Sequence, residues 1–154
     1  MERFTLHGSV VCSPGLVRKQ NQDNFYLNGV YREDLDSMET LRTSDLREYD
    51  GLYAVADGMG GEQDGEIASF YAVRAMNDLP RPLTPEAFCA YLSQRNAEIC
   101  QYGEEHASLR CGTTFVGLSI RGDAVDMVNI GDSRAYLLRH GRLIQLSEDH
   151  TAAQ

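Results

Sequence analysis

Residues 53–69 read YAVADGMGGEQDGEIAS, an apolar run that ends on Asp57 and opens into two short glycine spacings and further acids. A carboxylate held at the end of a strand, in front of backbone with few side chains, suits a hard divalent cation. Mg²⁺ and Mn²⁺ take oxygen ligands from a few carboxylates, main-chain carbonyls and waters, and a glycine at position 58 lets a metal and its waters approach the carbonyl there. An isolated Asp-Gly is usually a plain turn. Here the density of the block, set between a strand and a helix, points to chemistry instead. Other readings of the block fit less well. The dinucleotide fingerprint G-x-G-x-x-G fails because Gln63 occupies its third glycine position, and Asp57 would repel a phosphate. The stretch holds neither a Walker phosphate loop nor a G-x-S-x-G nucleophile elbow.

Two further stretches carry candidate groups. In VRKQNQDNF (17–25), Arg18 offers the planar fork that clamps a phosphate through two parallel hydrogen bonds, and Asp23 can hold a metal directly or through water. In VNIGDSRAYLLRHGRLIQLSEDHT (128–151), Asp132 sits on a tight joint between two strands, which is equally a favoured place for a plain turn. Ser133 and Thr151 have no base beside them in sequence, so nucleophilic roles are unsupported.

These groups need a scaffold, and its elements are readable. Strands are expected at 4–11, 23–29 and 51–56, with turns at Ser13-Pro14-Gly15 and Asn28-Gly29. The charged segment 31–50 lacks sustained periodicity and reads as a surface insertion with a short helix. A helix is expected from Glu66 to Asn77. After the break LPRPLTP, a second runs from Thr84 (N-cap, with Pro85 at the first helical position) to about His106, with Phe88, Tyr91, Leu92 and Ile99 in the core. Four successive antiparallel strands follow at 113–120, 124–130, 134–139 and 142–147, joined at Arg121-Gly122-Asp123, Gly131-Asp132-Ser133 and His140-Gly141. Strands, two helices, then strands indicate an α+β fold with helices packed on antiparallel sheets. The hairpins argue against a nucleotide-binding parallel sheet.

Bulk properties narrow the partners. The 154 residues suit one domain, and 14 Lys+Arg against 23 Asp+Glu give a net charge of -9. That balance disfavours nucleic acid, which needs clustered positive charge, and suits a cation binder. No apolar run is long enough to span a membrane, and MERFTLHGSV has no apolar signal core. The four cysteines are scattered, as reduced cytoplasmic thiols would be, and the four histidines form no zinc pattern.

The runs RKQNQD, YAVADGMGGEQDGEIAS, CGTTFVGL and VNIGDSRAYLLRHGRLIQLSEDHT, in that order, resemble the bacterial metal-dependent protein phosphatases of the PPM or type 2C serine/threonine family. The resemblance covers most of residues 8–151 apart from 31–50 and the second helix. It implies an α-β-β-α arrangement, two antiparallel sheets in a sandwich flanked by helices, with two Mn²⁺ or Mg²⁺ ions at one end. By the same resemblance Asp57 bridges both metals, the Gly58 carbonyl binds one, Asp23 reaches a metal through water, and Arg18 holds the substrate phosphate. Asp132 matches the acid of a third metal, and Gln22 stands where many relatives carry Glu. The implied reaction is hydrolysis of phosphoserine or phosphothreonine in proteins, the targets of a serine/threonine kinase, by metal-activated water. The family pattern continues past Thr151 to a Ser-Asp-Gly strand end and an Asp-Asn pair with further metal carboxylates. The chain is accordingly expected to be the first two thirds of one catalytic domain, truncated at Gln154. The alternative is a catalytically inactive phosphoprotein-binding or regulatory fragment.

Overall fold

A computed structural model describes residues 4–59, 64–79, 83–106 and 111–150. The chain runs β1 (Thr5–Cys12), β2 (Asp23–Leu27), β3 (Val30–Tyr31), β4 (Leu41–Glu48), β5 (Asp50–Met59), α1 (Gly65–Arg74), a 3₁₀ turn (Met76–Asp78), α2 (Pro85–Glu105), β6 (Gly112–Thr113), β7 (Phe115–Arg121), β8 (Ala124–Ile130), β9 (Tyr136–Arg139) and β10 (Arg142–Gln145). The main sheet has the order β3-β2-β5-β7-β8, with β6 paired to the end of β5. Every pairing is antiparallel, so the expected α+β class holds.

Strand alternation sorts side chains to two layers. On β2, Tyr26 faces the helices and joins Ala72, Val73, Met76, Phe88, Tyr91 and Phe115 in the larger core. Its neighbours Phe25 and Leu27 point the other way and pack with Cys12, Val10 and Leu41 of the β1–β4 pair. The two described helices share one core cluster and therefore one face. The described residues thus stack helices on sheet on sheet, in keeping with the expected sandwich of antiparallel sheets flanked by helices. Among these residues no helix is long and apolar enough to cross a membrane.

The second helix starts as its residues dictate: Thr84 Oγ1 accepts from the Ala87 amide at 3.2 Å and Pro85 follows at the first helical position. Phe88, Tyr91 and Ile99 are buried, and Leu92 packs beside them. The Phe88 ring meets Phe115 edge-on at 5.8 Å, over Gly117. The turns at Asn28-Gly29 and His140-Gly141 both place two successive residues at positive φ, as tight hairpins require.

Two expectations are corrected. Segment 31–50 carries no helix: Leu41–Glu48 form β4, paired residue for residue with β1. Its inward positions Leu41, Thr43 and Asp45 are mostly polar, so the strand has no hydrophobic period to read. The second correction concerns Gly131-Asp132-Ser133, which is not a hairpin turn. β8 belongs to the main sheet while β9 and β10 form a separate exposed pair, so this joint carries the chain from one sheet to another.

Candidate metal centre

Asp57 lies within β5, two residues before its end, rather than just beyond the strand. Asp23 is the first residue of β2, and the two stand directly opposite each other across the antiparallel ladder. Like charges at such a position repel. Desolvation raises the Asp23 carboxyl above its ordinary value, although the residue as a whole stays accessible. The Asp57 charge and a hydrogen bond to Asp57 push in the same direction, while Arg32 and Arg18 pull it back. A pair of acids under that strain, with carbonyl oxygens beside it, is a donor set that a hard divalent cation relieves. The residues present therefore fit Mg²⁺ or Mn²⁺.

The backbone around the pair is packed to contact. The Gly58 amide donates to the Gln22 carbonyl at 3.1 Å. A Cβ on Gly58 would stand 2.1 Å from the Gly65 carbonyl oxygen and 2.4 Å from that of Gln22. Three segments meet there without intervening side chains: the end of β5, the loop into β2 and the first turn of α1. Ser69, fully buried on α1, donates its hydroxyl to the same Gln22 carbonyl at 2.7 Å.

The main chain of Asp57 is held from the other side. Its amide donates to Thr114 Oγ1 at 3.0 Å, and its carbonyl accepts from the Thr114 amide at 2.9 Å and the Thr113 hydroxyl at 3.0 Å. Thr114 Oγ1 also bonds Ser133 Oγ at 2.6 Å, which ties the joint after β8 to the acid pair. At Asp23, the buried Asn21 side chain accepts from the Asp23 amide at 3.1 Å and donates to the Cys12 sulfur at 3.2 Å.

Arg18, Asp23, Asp57 and Gly58 line one pocket of about 240 Å³, together with Ser13, Pro14 and the 20–22 segment. A second cavity, of about 370 Å³ under β1, also reaches Asp23 and Asp57 and ends at Ser133. Asp132 is exposed on the joint next to Ser133 and lines neither cavity. Thus four of the five residues singled out in the sequence share one site. Reading by motif missed Asn21, Ser69 and Thr114. All three work on main-chain atoms of the site, and Ser69 and Thr114 do so from 47 and 57 residues away. The paired threonines of CGTT, placed just after a glycine and before a strand, were the available signal for Thr114.

Residues 18–154 match the family described as Protein phosphatase 2C. The chain belongs to the protein phosphatase 2C family. It is similar to the serine/threonine phosphatase stp of Listeria welshimeri, with 34% identity over 155 residues covering 95% of this chain and 55% of the relative. It is also similar in structure to the serine/threonine phosphatase PstP/Ppp of Mycobacterium tuberculosis: TM-score 0.73 and 30% identity, over 97% of this chain and 56% of that one. A structure of the catalytic domain of PstP in complex with two manganese ions gives TM-score 0.75 at 29% identity, over 99% of this chain and 59% of that one. The chain thus spans a little over half the length of these relatives.

Proposed function

We propose that the chain carries the N-terminal share of a metal-dependent phosphatase site that hydrolyses phosphoserine and phosphothreonine in proteins. The observation that supports this most is the convergence of Arg18, Asp23, Asp57 and Gly58 on one pocket with the two acids directly opposed. Asp57 would bridge two Mn²⁺ or Mg²⁺ ions, the Gly58 carbonyl would bind one of them, and Asp23 would reach one through water. Asp132 would serve a third ion from the joint beside Ser133. Bound there, such cations acidify water and supply hydroxide near neutral pH. Arg18 holds the phosphate oxygens in the fork of its guanidinium and so fixes the phosphorus against the acid pair. Thr113 and Thr114 keep the Asp57 main chain from turning away. Phosphorylated proteins, the products of serine/threonine kinases, are the partners this chemistry requires. The scattered free thiols suit a reducing cytoplasm, where the reaction would run.

A second reading rests on Arg18 alone: phosphate capture at this pocket needs no turnover, which suits a phosphoprotein-binding or regulatory module. Phosphate release from a phosphothreonine peptide separates the two. Release that requires Mn²⁺, stops with EDTA and disappears in Asp57→Asn supports hydrolysis. Peptide retained without phosphate release, and lost in Arg18→Ala, supports the binding module instead.

A further inference from the structure

Arg32 lies in the charged segment after β3, yet it is among the most deeply buried side chains of the protein, at 2% exposure. Its guanidinium is spent on main-chain carbonyl oxygens. Nη1 donates to Asn21 at 2.7 Å and to Asp23 at 3.2 Å, Nε donates to Asp34 at 3.1 Å, and Nη2 donates to Leu35 and, at 3.4 Å, to Ser37. Its own backbone is locked to the same strand, because the Arg32 amide donates to Asn24 Oδ1 at 2.9 Å and Asn24 Nδ2 donates to the Arg32 carbonyl at 3.0 Å. One side chain therefore clasps the loop 34–37 on one side and the two residues flanking Gln22 on the other.

We propose that Arg32 is a positioning residue of the metal centre, whose buried guanidinium holds the Asn21–Asp23 main chain so that the Asp23 carboxylate stands opposite Asp57 before any cation arrives. The inference rests on the reading of Asp23 and Asp57 as metal ligands. Two physical points carry it. Burying a guanidinium costs several kcal/mol, and apolar side chains of similar volume often serve stability as well or better. An arginine kept in that place supplies what an apolar residue does not: a fork of donors aimed at several carbonyls at once. In addition, the residue it clasps is Asp23 itself, where a small rotation of the main chain would separate the acid pair.

The test is a Mn²⁺ titration of the 154-residue chain followed by water-proton relaxation, with far-UV circular dichroism to confirm folding. Arg32→Met is expected to weaken Mn²⁺ binding by about 10- to 100-fold, the usual effect of losing a residue that orients a ligand. Arg32→Lys keeps the charge without the fork and is expected to fall between Arg32→Met and the unaltered chain. On an Asp23→Asn background, Arg32→Met is expected to add no further loss, because both changes remove the same contribution. A folded R32M that binds Mn²⁺ like the unaltered chain, or one whose loss adds in full to that of D23N, overturns the inference while leaving the metal reading intact. If R32M does not fold, R32K carries the test alone, and unchanged binding by R32K overturns it. Absence of Mn²⁺ uptake by the unaltered chain, or uptake indifferent to Asp57→Asn, refutes the metal reading beneath and the inference with it.

Discussion

Replacing Gly58 by alanine tests whether the close approach of three segments positions the acid pair. The added Cβ would lie 2.1 Å from the Gly65 carbonyl oxygen, 2.4 Å from the Gln22 carbonyl oxygen and 2.5 Å from the Gly65 carbonyl carbon. Each of these atoms is backbone, so no flexible side chain can swing aside. Restoring ordinary contact requires α1 and the loop before β2 to retreat from β5 by more than an ångström. That movement stretches the Gly58–Gln22 hydrogen bond and the Ser69–Gln22 bond that depends on the same carbonyl. Overpacking a filled site costs about 1–3 kcal/mol, and a wholly backbone clash belongs at the upper end, about 3 kcal/mol. With a urea slope near 2 kcal/mol per molar, the unfolding midpoint falls by about 1.5 M. Gly112→Ala is the internal control. Gly112 pairs with Met59 one ladder step away, and its added Cβ would meet nothing nearer than the flexible Met59 Cε at 3.9 Å. Urea denaturation of the two variants, read alongside Mn²⁺ affinity, should show a large loss in both quantities for G58A and little change for G112A. Equal midpoints for G58A and G112A would refute the argument that backbone contact at Gly58 sets the site.

Asp57→Asn removes one of two like charges facing each other across β2 and β5. Without metal it should leave the chain equally stable or about 0.5–1 kcal/mol more stable, while Mn²⁺ no longer raises the melting temperature as it does for the unaltered chain. Thermal melts with and without Mn²⁺ read both effects, and a D57N variant still stabilised by Mn²⁺ would contradict the assignment. Thr114→Val leaves the Asp57 amide and the Ser133 hydroxyl without their shared oxygen, at a cost of about 1–3 kcal/mol in urea denaturation. A T114V chain as stable as the original would show that the bridge contributes nothing. Tyr91 donates its hydroxyl to the Ala72 carbonyl at 2.6 Å, and burial pushes its pKa far above the ordinary 10.0. The folded chain thus keeps this proton after the unfolded chain has lost it, so stability declines as pH rises past 10, by up to about 1.4 kcal/mol per pH unit. Tyr91→Phe costs about 1 kcal/mol at neutral pH and flattens that alkaline slope, which denaturation at pH 9 and pH 11 measures directly.

Arg18, Asp23, Asp57 and Gly58, which line the pocket, were legible because they lie in short contiguous runs. Arg18 and Asp23 fall within six residues of each other, and Asp57 and Gly58 are neighbours, so spacing alone places each pair on one loop or strand end. Their convergence was not legible from spacing: it depends on the β2–β5 register, which sets Asp23 opposite Asp57. The supporting residues were hidden for a related reason. Asn21, Ser69 and Arg32 act on main-chain atoms, and such a role leaves no characteristic pattern of side-chain types; Thr114 acts likewise, with only the threonine pair of CGTT to mark it. Arg32 was further disguised by its surroundings. A segment rich in Glu, Asp and Arg reads as a solvated surface, and a hydrophobic period cannot reveal that one of its arginines is buried among carbonyls. β4 escaped for the same cause, since its inward Thr43 and Asp45 are polar, with Asp45 accepting from Asn28 at 2.6 Å. At Gly131-Asp132-Ser133, turn composition correctly marks a change of direction but carries no information about which sheet the next strand joins. The change of sheet has a consequence for the site. It brings Ser133 beside β1 and onto Thr114, so a short hydroxyl contact links the joint that precedes β9 to the side chain that holds the Asp57 amide.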